Sequence, residues 1–182
     1  TPHTIWNSDA AAGSYSLEFD GDDALTVDTS FAQLNLGGDD FSLALWIKPD
    51  SGTTGSQMLA QLMDLVNWGD GYYLTYGLDY DSLSFYIADA GGGSAYTWVN
   101  VPDLSSAWHH IAVTFEQDSG QVVLYLDGLP LDLHSETPTE GIDPDVPLWL
   151  GNSGDSWYGG YEGLMDEVRV YNRAITWNEA RA

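Results

Sequence analysis

One stretch limits what this chain can become more than any other: Trp108 to Gly128, WHHIAVTFEQDSGQVVLYLDG. Its first limb places Ile111, Val113 and Phe115 on one side, and its second places Val122, Leu124 and Leu126 likewise. Asp118-Ser119-Gly120 supplies a reversal between the limbs, and Asp127-Gly128 supplies a second, tighter one of the kind that joins antiparallel strands. Gln121 to Leu126 therefore has partners on both sides and belongs near the middle of a sheet. A lone hairpin is only marginally stable, so the rest of the chain must supply more strands.

It does. Tyr15, Leu17 and Phe19 alternate with Ser16 and Glu18, and the alternation resumes at Leu25 and Val27 after a break at Asp20 to Asp23 that carries three carboxylates. Phe41 to Lys48 reads as a strand apolar on both faces, ended by Pro49. Met58 to Trp68 fits either a helical face or a strand and turn. Tyr72 to Tyr76, Ser82 to Ile87, Ala95 to Val101, Val146 to Leu150 and Leu164 to Tyr171 are extended. Thr176 with Glu179 forms a capping box for one terminal helical turn. Short strands separated by Asp/Gly turns, with almost no helical periodicity, predict an all-β, two-sheet antiparallel jelly-roll sandwich. Residues 1–13 read as an N-terminal linker or edge segment, and residues 14–182 as a single sandwich domain.

Charge narrows the partners. The chain of 182 residues carries 28 acidic and four basic residues, a formal charge of −24, which repels a nucleic-acid backbone or an anionic membrane surface. No run of apolar residues is long enough to insert in a membrane. There is no cysteine, hence no disulfide or thiolate metal site. Such acidity requires cations to screen or bind it, from a halophilic or marine setting or from extracellular calcium.

Six stretches, taken in order, resemble a known family: SLEFDGDD at Ser16 to Asp23, FSLALWIKP at Phe41 to Pro49, WHHIAVTFE at Trp108 to Glu116, VVLYLDG at Val122 to Gly128, LWLG at Leu148 to Gly151, and GLMDEVRVYNRAIT at Gly163 to Thr176. Together they are similar to the laminin-G-like branch of the concanavalin A-like lectin and glucanase superfamily. The resemblance implies two curved antiparallel sheets stacked face to face, often with one calcium ion (Ca2+), in modules of secreted or surface proteins.

Period two within Leu164 to Val170 predicts that Asp166 faces the core with Val168 and Val170, where a carboxylate requires a hydrogen-bond network or a cation. In the family the FDG stretch and the last strand approach one another near a calcium ion. Carried over, this implies Asp20 and Asp166 as ligands, Gly21 through its carbonyl, and Asp22 or Asp23 as a further oxygen; the alternative is that these carboxylates cap turn N–H groups. The loop departs from the family in having Ala24 and Leu25 after Asp23 where an aromatic is usual.

Eight Trp and eleven Tyr are a large stock of rings able to stack on sugar faces. Those in strands, Trp46, Trp98, Trp108 and Trp149, are expected in the core. Those in or beside turns, Trp157, Tyr158 and Tyr161, with Trp68, Tyr72, Tyr80 and Tyr96, are the candidates for a glycan site, and Asn152, Asp155 and Asp70 could bond sugar hydroxyls. His109 and His110 are adjacent on a strand and point apart, so they cannot clasp one metal. No Glu-x-Asp-x-Glu pattern of the glucanases and no G-x-S-x-G elbow is present. The chain thus reads as a non-catalytic, calcium-dependent carbohydrate-binding module (a lectin) of an extracellular microbial protein, preferring neutral sugars. The rivals are a structural spacer or protein-binding domain of a large calcium-dependent cell-adhesion protein and, further off, a glycan-cleaving enzyme domain.

Overall fold

The computed structural model describes residues 6–27, 40–52, 54–65, 69–77, 81–105, 107–135, 142, 146–152 and 158–181. Fourteen strands are present among them: β1 (Trp6–Asn7), β2 (Ser16–Asp20), β3 (Leu25–Val27), β4 (Phe41–Pro49), β5 (Ser56–Met63), β6 (Gly71–Gly77), β7 (Ser82–Ala88), β8 (Ser94–Asn100), β9 (His109–Glu116), β10 (Gln121–Leu126), β11 (Leu129–Ser135), β12 (Leu148–Leu150), β13 (Gly159–Gly160) and β14 (Glu162–Tyr171). The first sheet runs β1-β2-β14-β4-β9-β10-β11, and the second runs β3-β12-β5-β6-β7-β8 with β13 beside β5. Every pairing is antiparallel except the short β13–β5 contact. No helix of the described residues is long and apolar enough to cross a membrane.

The hairpin predicted from Trp108 to Gly128 is β9–β10, continued by β11, and it lies on the far side of β4 from β14. Its second turn has Asp127 at φ 50° and Gly128 at φ 73°, so both central residues are left-handed, as a two-residue hairpin turn demands. A β-carbon at Gly128 would also overlap Arg181, which packs against the turn. The ambiguous Met58 stretch is strand β5, because its neighbours β6 and β12 pair with it on both sides.

The inner faces follow the alternation. Leu43, Leu45 and Ile47 of β4 and Ile111, Val113 and Phe115 of β9 meet Tyr72, Leu74 and Tyr76 of β6 and Leu83, Phe85 and Ile87 of β7 in one buried cluster. Phe41 and Tyr72 stack across the two sheets with ring centroids 5.1 Å apart. This core orients the remaining side chains of both sheets outward, and the two outer faces are treated differently.

The outer face of the first sheet is covered by the chain's own ends. Ala44, Ala112, Val123 and Tyr125 form a second cluster with Ile175 and Ala180 from the C-terminal segment. That segment is a turn in which the Thr176 N–H and hydroxyl both donate to Glu179 Oε2, at 2.8 and 2.9 Å, the reciprocal half of the predicted capping box. Arg173 grips Glu179 through both guanidinium nitrogens, at 2.9 and 2.5 Å. This arginine and the Thr176 donors hold the Glu179 carboxyl at a pKa of about 2. At the other end Asp9 accepts from Lys48 Nζ at 2.6 Å and from Trp108 Nε1 at 3.0 Å, and its pKa is lowered by those two bonds. The described part of the N-terminal segment, expected as linker or edge, thus carries the edge strand β1 and a clasp onto the first sheet.

Candidate functional site

Among the described residues, the outer face of the second sheet has no such cover from the termini. Strand pairing aligns its outward side chains in rows: Trp149 of β12, Gln61 of β5, Tyr73 of β6, Tyr86 of β7 and Tyr96 of β8 stand side by side, and beside them run Met58, Thr75, Ser84 and Trp98. Tyr96 and Trp98 are 48% and 47% exposed, two residues apart on one face of β8. Neither makes a hydrogen bond or ring contact among the described residues. Tyr73 and Tyr86 stack with centroids 5.2 Å apart, and Tyr158 leans on Tyr73 at 5.3 Å and donates its hydroxyl to the Tyr73 oxygen at 3.1 Å. Burial first, and then the Tyr158 bond, push the Tyr73 phenol far above its ordinary pKa, so it stays neutral. Met58, Met63 and Leu65 pack under these rings on the β5 side.

The chemistry of this face is uniform. The outward residues of β6, β7 and β8 are Tyr73, Thr75, Ser82, Ser84, Tyr86, Ala88, Ser94, Tyr96, Trp98 and Asn100, together with Gly71 and Gly77. None carries a charge, although the whole chain stands at −24. Thr75 and Ser84 share a hydrogen bond of 3.0 Å between their hydroxyls. Gln61 Nε2 donates to the Met63 carbonyl at 2.7 Å, while its Oε1 is buried with no partner among the described residues.

The residues expected from sequence divide. Tyr158 belongs to this face. Trp157, Asp155, Trp68 and Tyr80 lie outside the described residues. Tyr72 and Tyr161 are corrections: both are fully buried, Tyr72 between Phe41 and Phe85 and Tyr161 against Phe19, with its hydroxyl bonded to the Leu164 carbonyl at 2.9 Å. A ring with no exposed surface cannot stack on a ligand. Asn152 is a strut, donating Nδ2 to the Gly21 carbonyl at 3.2 Å. The expectation of core tryptophans also fails: Trp46, Trp108 and Trp149 are half-buried outside the apolar cluster, and Trp98 is exposed. His109 and His110 have separate partners, Asp127 Oδ2 at 2.8 Å and the Ala180 carbonyl at 3.0 Å.

The expected metal ligands do not gather. β14 pairs Glu162 with Asp20 but Asp166 with Trp46, four residues further along, a separation of about 13 Å at strand rise. Nor does Asp166 point into the core. Between Asp166 and Arg169 the β14–β4 register slips by one residue, with Glu167 at φ 50°, and the bulge leaves Asp166 on the outer side while returning Val168 and Val170 to the core. There Asp166 accepts the N–H groups of Ala12, at 3.0 Å, and Glu167, at 2.8 Å. In the Asp20–Asp23 loop, Asp20 Oδ1 accepts the Asp22 N–H at 3.2 Å and Glu162 stands beside Gly21. Among the described residues no group of three or more His, Asp or Glu side chains is placed to hold a metal.

Residues 9–181 match the family model Laminin_G_3, described as the concanavalin A-like lectin/glucanases superfamily. No curated protein matches the chain in sequence. Among solved structures, the binding domain of Paraclostridial Mosquitocidal Protein 1 is similar over 98% of this chain and 45% of its own, at 20% identity and a TM-score of 0.78. The chain therefore spans less than half the length of that binding domain. Domain 4 of an extracellular arabinanase from Geobacillus stearothermophilus, in complex with arabinotriose, is similar over 97% of this chain and 78% of its own, at 18% identity and a TM-score of 0.71. The CBM40 domain of Ruminococcus gnavus IT-sialidase, bound to α2,3-sialyllactose, is similar over 91% and 94% respectively, at 13% identity and a TM-score of 0.71.

Proposed function

The chain belongs to the concanavalin A-like lectin/glucanases superfamily, and on that footing we propose that it is a non-catalytic carbohydrate-binding module of an extracellular protein, with its glycan seated on the outer face of the second sheet at Tyr96 and Trp98. The observation that carries this reading is the exposed ring pair: two large aromatic side chains half in water, without side-chain hydrogen bonds or ring contacts among the described residues, on an uncharged face that also carries the hydroxyl of Ser94 and the amide of Asn100. Ring planes take the apolar faces of sugars, and the hydroxyls and amides beside them take the edges. Two of the similar solved structures have a saccharide named in their descriptions, which supports the reading.

Neutral sugars are the ligands in this proposal. The face carries no cation to pair with an acidic sugar, and the chain's net charge of −24 repels polyanions. Glycosidic cleavage requires two carboxyls flanking the bond, and none stands among the outward residues of β6, β7 and β8. Calcium enters the proposal only as a stiffener of the Asp20–Asp23 loop with Glu162 beside it, independent of the glycan face and without Asp166.

The test is binding to an array of neutral glycans by the wild type, Trp98→Ala and Trp6→Ala, the last an exposed ring on the first sheet. Binding by the wild type and Trp6→Ala, lost in Trp98→Ala, is the expected result. Absence of any glycan binding, or equal loss in both variants, would overturn the reading in favour of a spacer or protein-binding domain.

A further inference from the structure

A cavity of about 380 Å³ lies on the outer face of the first sheet, between the two terminal segments that cover it. Its floor is Ala44 of β4, whose side chain is too short to fill the space above it. Trp46, two residues along β4, and its cross-strand partner His110 stand at one end, with ring centroids 5.2 Å apart. Arg169 pairs with Ala44 at the side, and Tyr171 closes the other end. Ala11 and Ala12 wall the cavity from the N-terminal segment, and Ile175 and Glu179 from the C-terminal one. The second wall is fixed in place: the Ile175 N–H donates to Ser42 Oγ at 2.9 Å, and Ser42 Oγ donates to the Arg173 carbonyl at 2.9 Å. The space is therefore preformed.

The charged groups around this space are spoken for. Arg169 is paired with Glu167, and Glu179 with Arg173, so the walls offer no unpaired charge. His110 is different: it is only 8% exposed, and its Nδ1 lies 3.0 Å from the Ala180 carbonyl. Nδ1 therefore carries the proton, and Nε2 presents a lone pair. Burial keeps the ring neutral. Nε2 has no partner among the described residues, yet it is not sealed from solvent, since the one fully buried side-chain atom without a partner there is Gln61 Oε1. The indole N–H of Trp46 also makes no hydrogen bond among the described residues. A hydroxyl, which donates and accepts at once, satisfies both groups, while the alanines, Ile175 and the rings require the rest of a ligand to be apolar. A sugar would bury most of its hydroxyls against alanine and isoleucine. About 150 Å³ suffices for a benzene ring, so this cavity admits one or two rings.

We propose that the cavity is a second binding site, separate from the glycan face and independent of it, for an uncharged phenol whose hydroxyl donates to His110 Nε2 and whose ring lies over Ala44 between Trp46 and Tyr171.

The experiment is titration at neutral pH with phenol, para-cresol and para-phenylphenol, and with para-methylanisole, in which the cresol hydroxyl is capped. It is followed by the NMR signal of the Trp46 indole N–H, identified as the one missing in Trp46→Phe. Saturable shifts of that signal by at least one phenol, at or below about 1 mM, are expected. The ether should bind about tenfold or more weaker than para-cresol, having no proton to give to Nε2. Ala44→Leu, which fills the floor, should abolish the shifts. Its fold is checked by melting, and the comparison of cresol with its ether needs no variant. Binding by none of the phenols, equal binding of the ether, shifts confined to other tryptophans, or shifts that persist in folded Ala44→Leu would each overturn the site.

Discussion

The two outer faces of the sandwich are made by the same alternation and are finished differently. On the first sheet, alanines at Ala44 and Ala112 leave room for the C-terminal turn, and all four cations of the chain lie on this side: Lys48 on Asp9, Arg169 on Glu167, Arg173 on Glu179, and Arg181 over the Trp177 ring at 4.6 Å. These contacts fasten the ends of the chain. On the second sheet the outward positions of β6, β7 and β8 carry no charge, and two rings stay in water. In a protein of charge −24, gathering every cation on one face keeps the other free of ion pairs. The covered face has small residues, Ala44 and Ala112, where the C-terminal segment docks, whereas the face proposed for glycan binding keeps the large rings of Tyr96 and Trp98 exposed.

The contrast can be broken in four ways. Ala112→Asp puts a carboxylate beneath the docked C-terminal segment and is expected to lower stability by on the order of 3 kcal/mol or more, whereas Ser94→Asp on the open face should stay within about 0.5 kcal/mol; urea unfolding of the pair measures the difference. Trp98→Ala should cost about tenfold or more in glycan affinity by calorimetry while leaving the unfolding midpoint in place.

Acid should separate the faces next. Burial lowers the His110 pKa below its ordinary 6.5, so the unfolded chain takes up that proton first, and stability present above about 6.5 is lost as pH falls through the folded value. Glu179 acts later: its folded pKa of about 2 against 4.5 means that stability present above 4.5 fades as pH drops toward 2. Melting followed from pH 8 downward should show the earlier step vanish in His110→Gln, with glycan affinity flat between pH 8 and 6.

The smallest effect belongs to calcium. It is expected to raise the melting temperature by a few degrees at most, through Asp20 and Asp22; Asp22→Asn should abolish the rise, and Asp166→Asn should leave it intact.

Much of this molecule was legible in one dimension. The alternation of Ile111, Val113 and Phe115 against Val122, Leu124 and Leu126, and the Asp127-Gly128 turn, are local facts, because side-chain period and left-handed φ depend only on near neighbours. The same rule already separated Tyr96 and Trp98 from Ala95, Thr97 and Val99 within β8, and Tyr73 from Tyr72 in β6. What it could not say was which set faces the core. Tyr72, chosen for its place beside a turn, is inside, and Trp98, set down as core for its place in a strand, is outside.

The amino-acid sequence by itself determined most of the strands, with the Met58 stretch left between helix and strand, their turns, the sandwich they form and the charge that repels polyanions, because each follows from periodicity or composition. Tertiary structure alone decided the rest. Whether an apolar face becomes core or surface depends on what lies over it, and the segments that cover the first sheet are remote in sequence from the strands they cover. A single bulge at Glu167 reversed the side taken by Asp166, and the register of β14 set it about 13 Å from Asp20, a long-range outcome of pairing that no local pattern encodes.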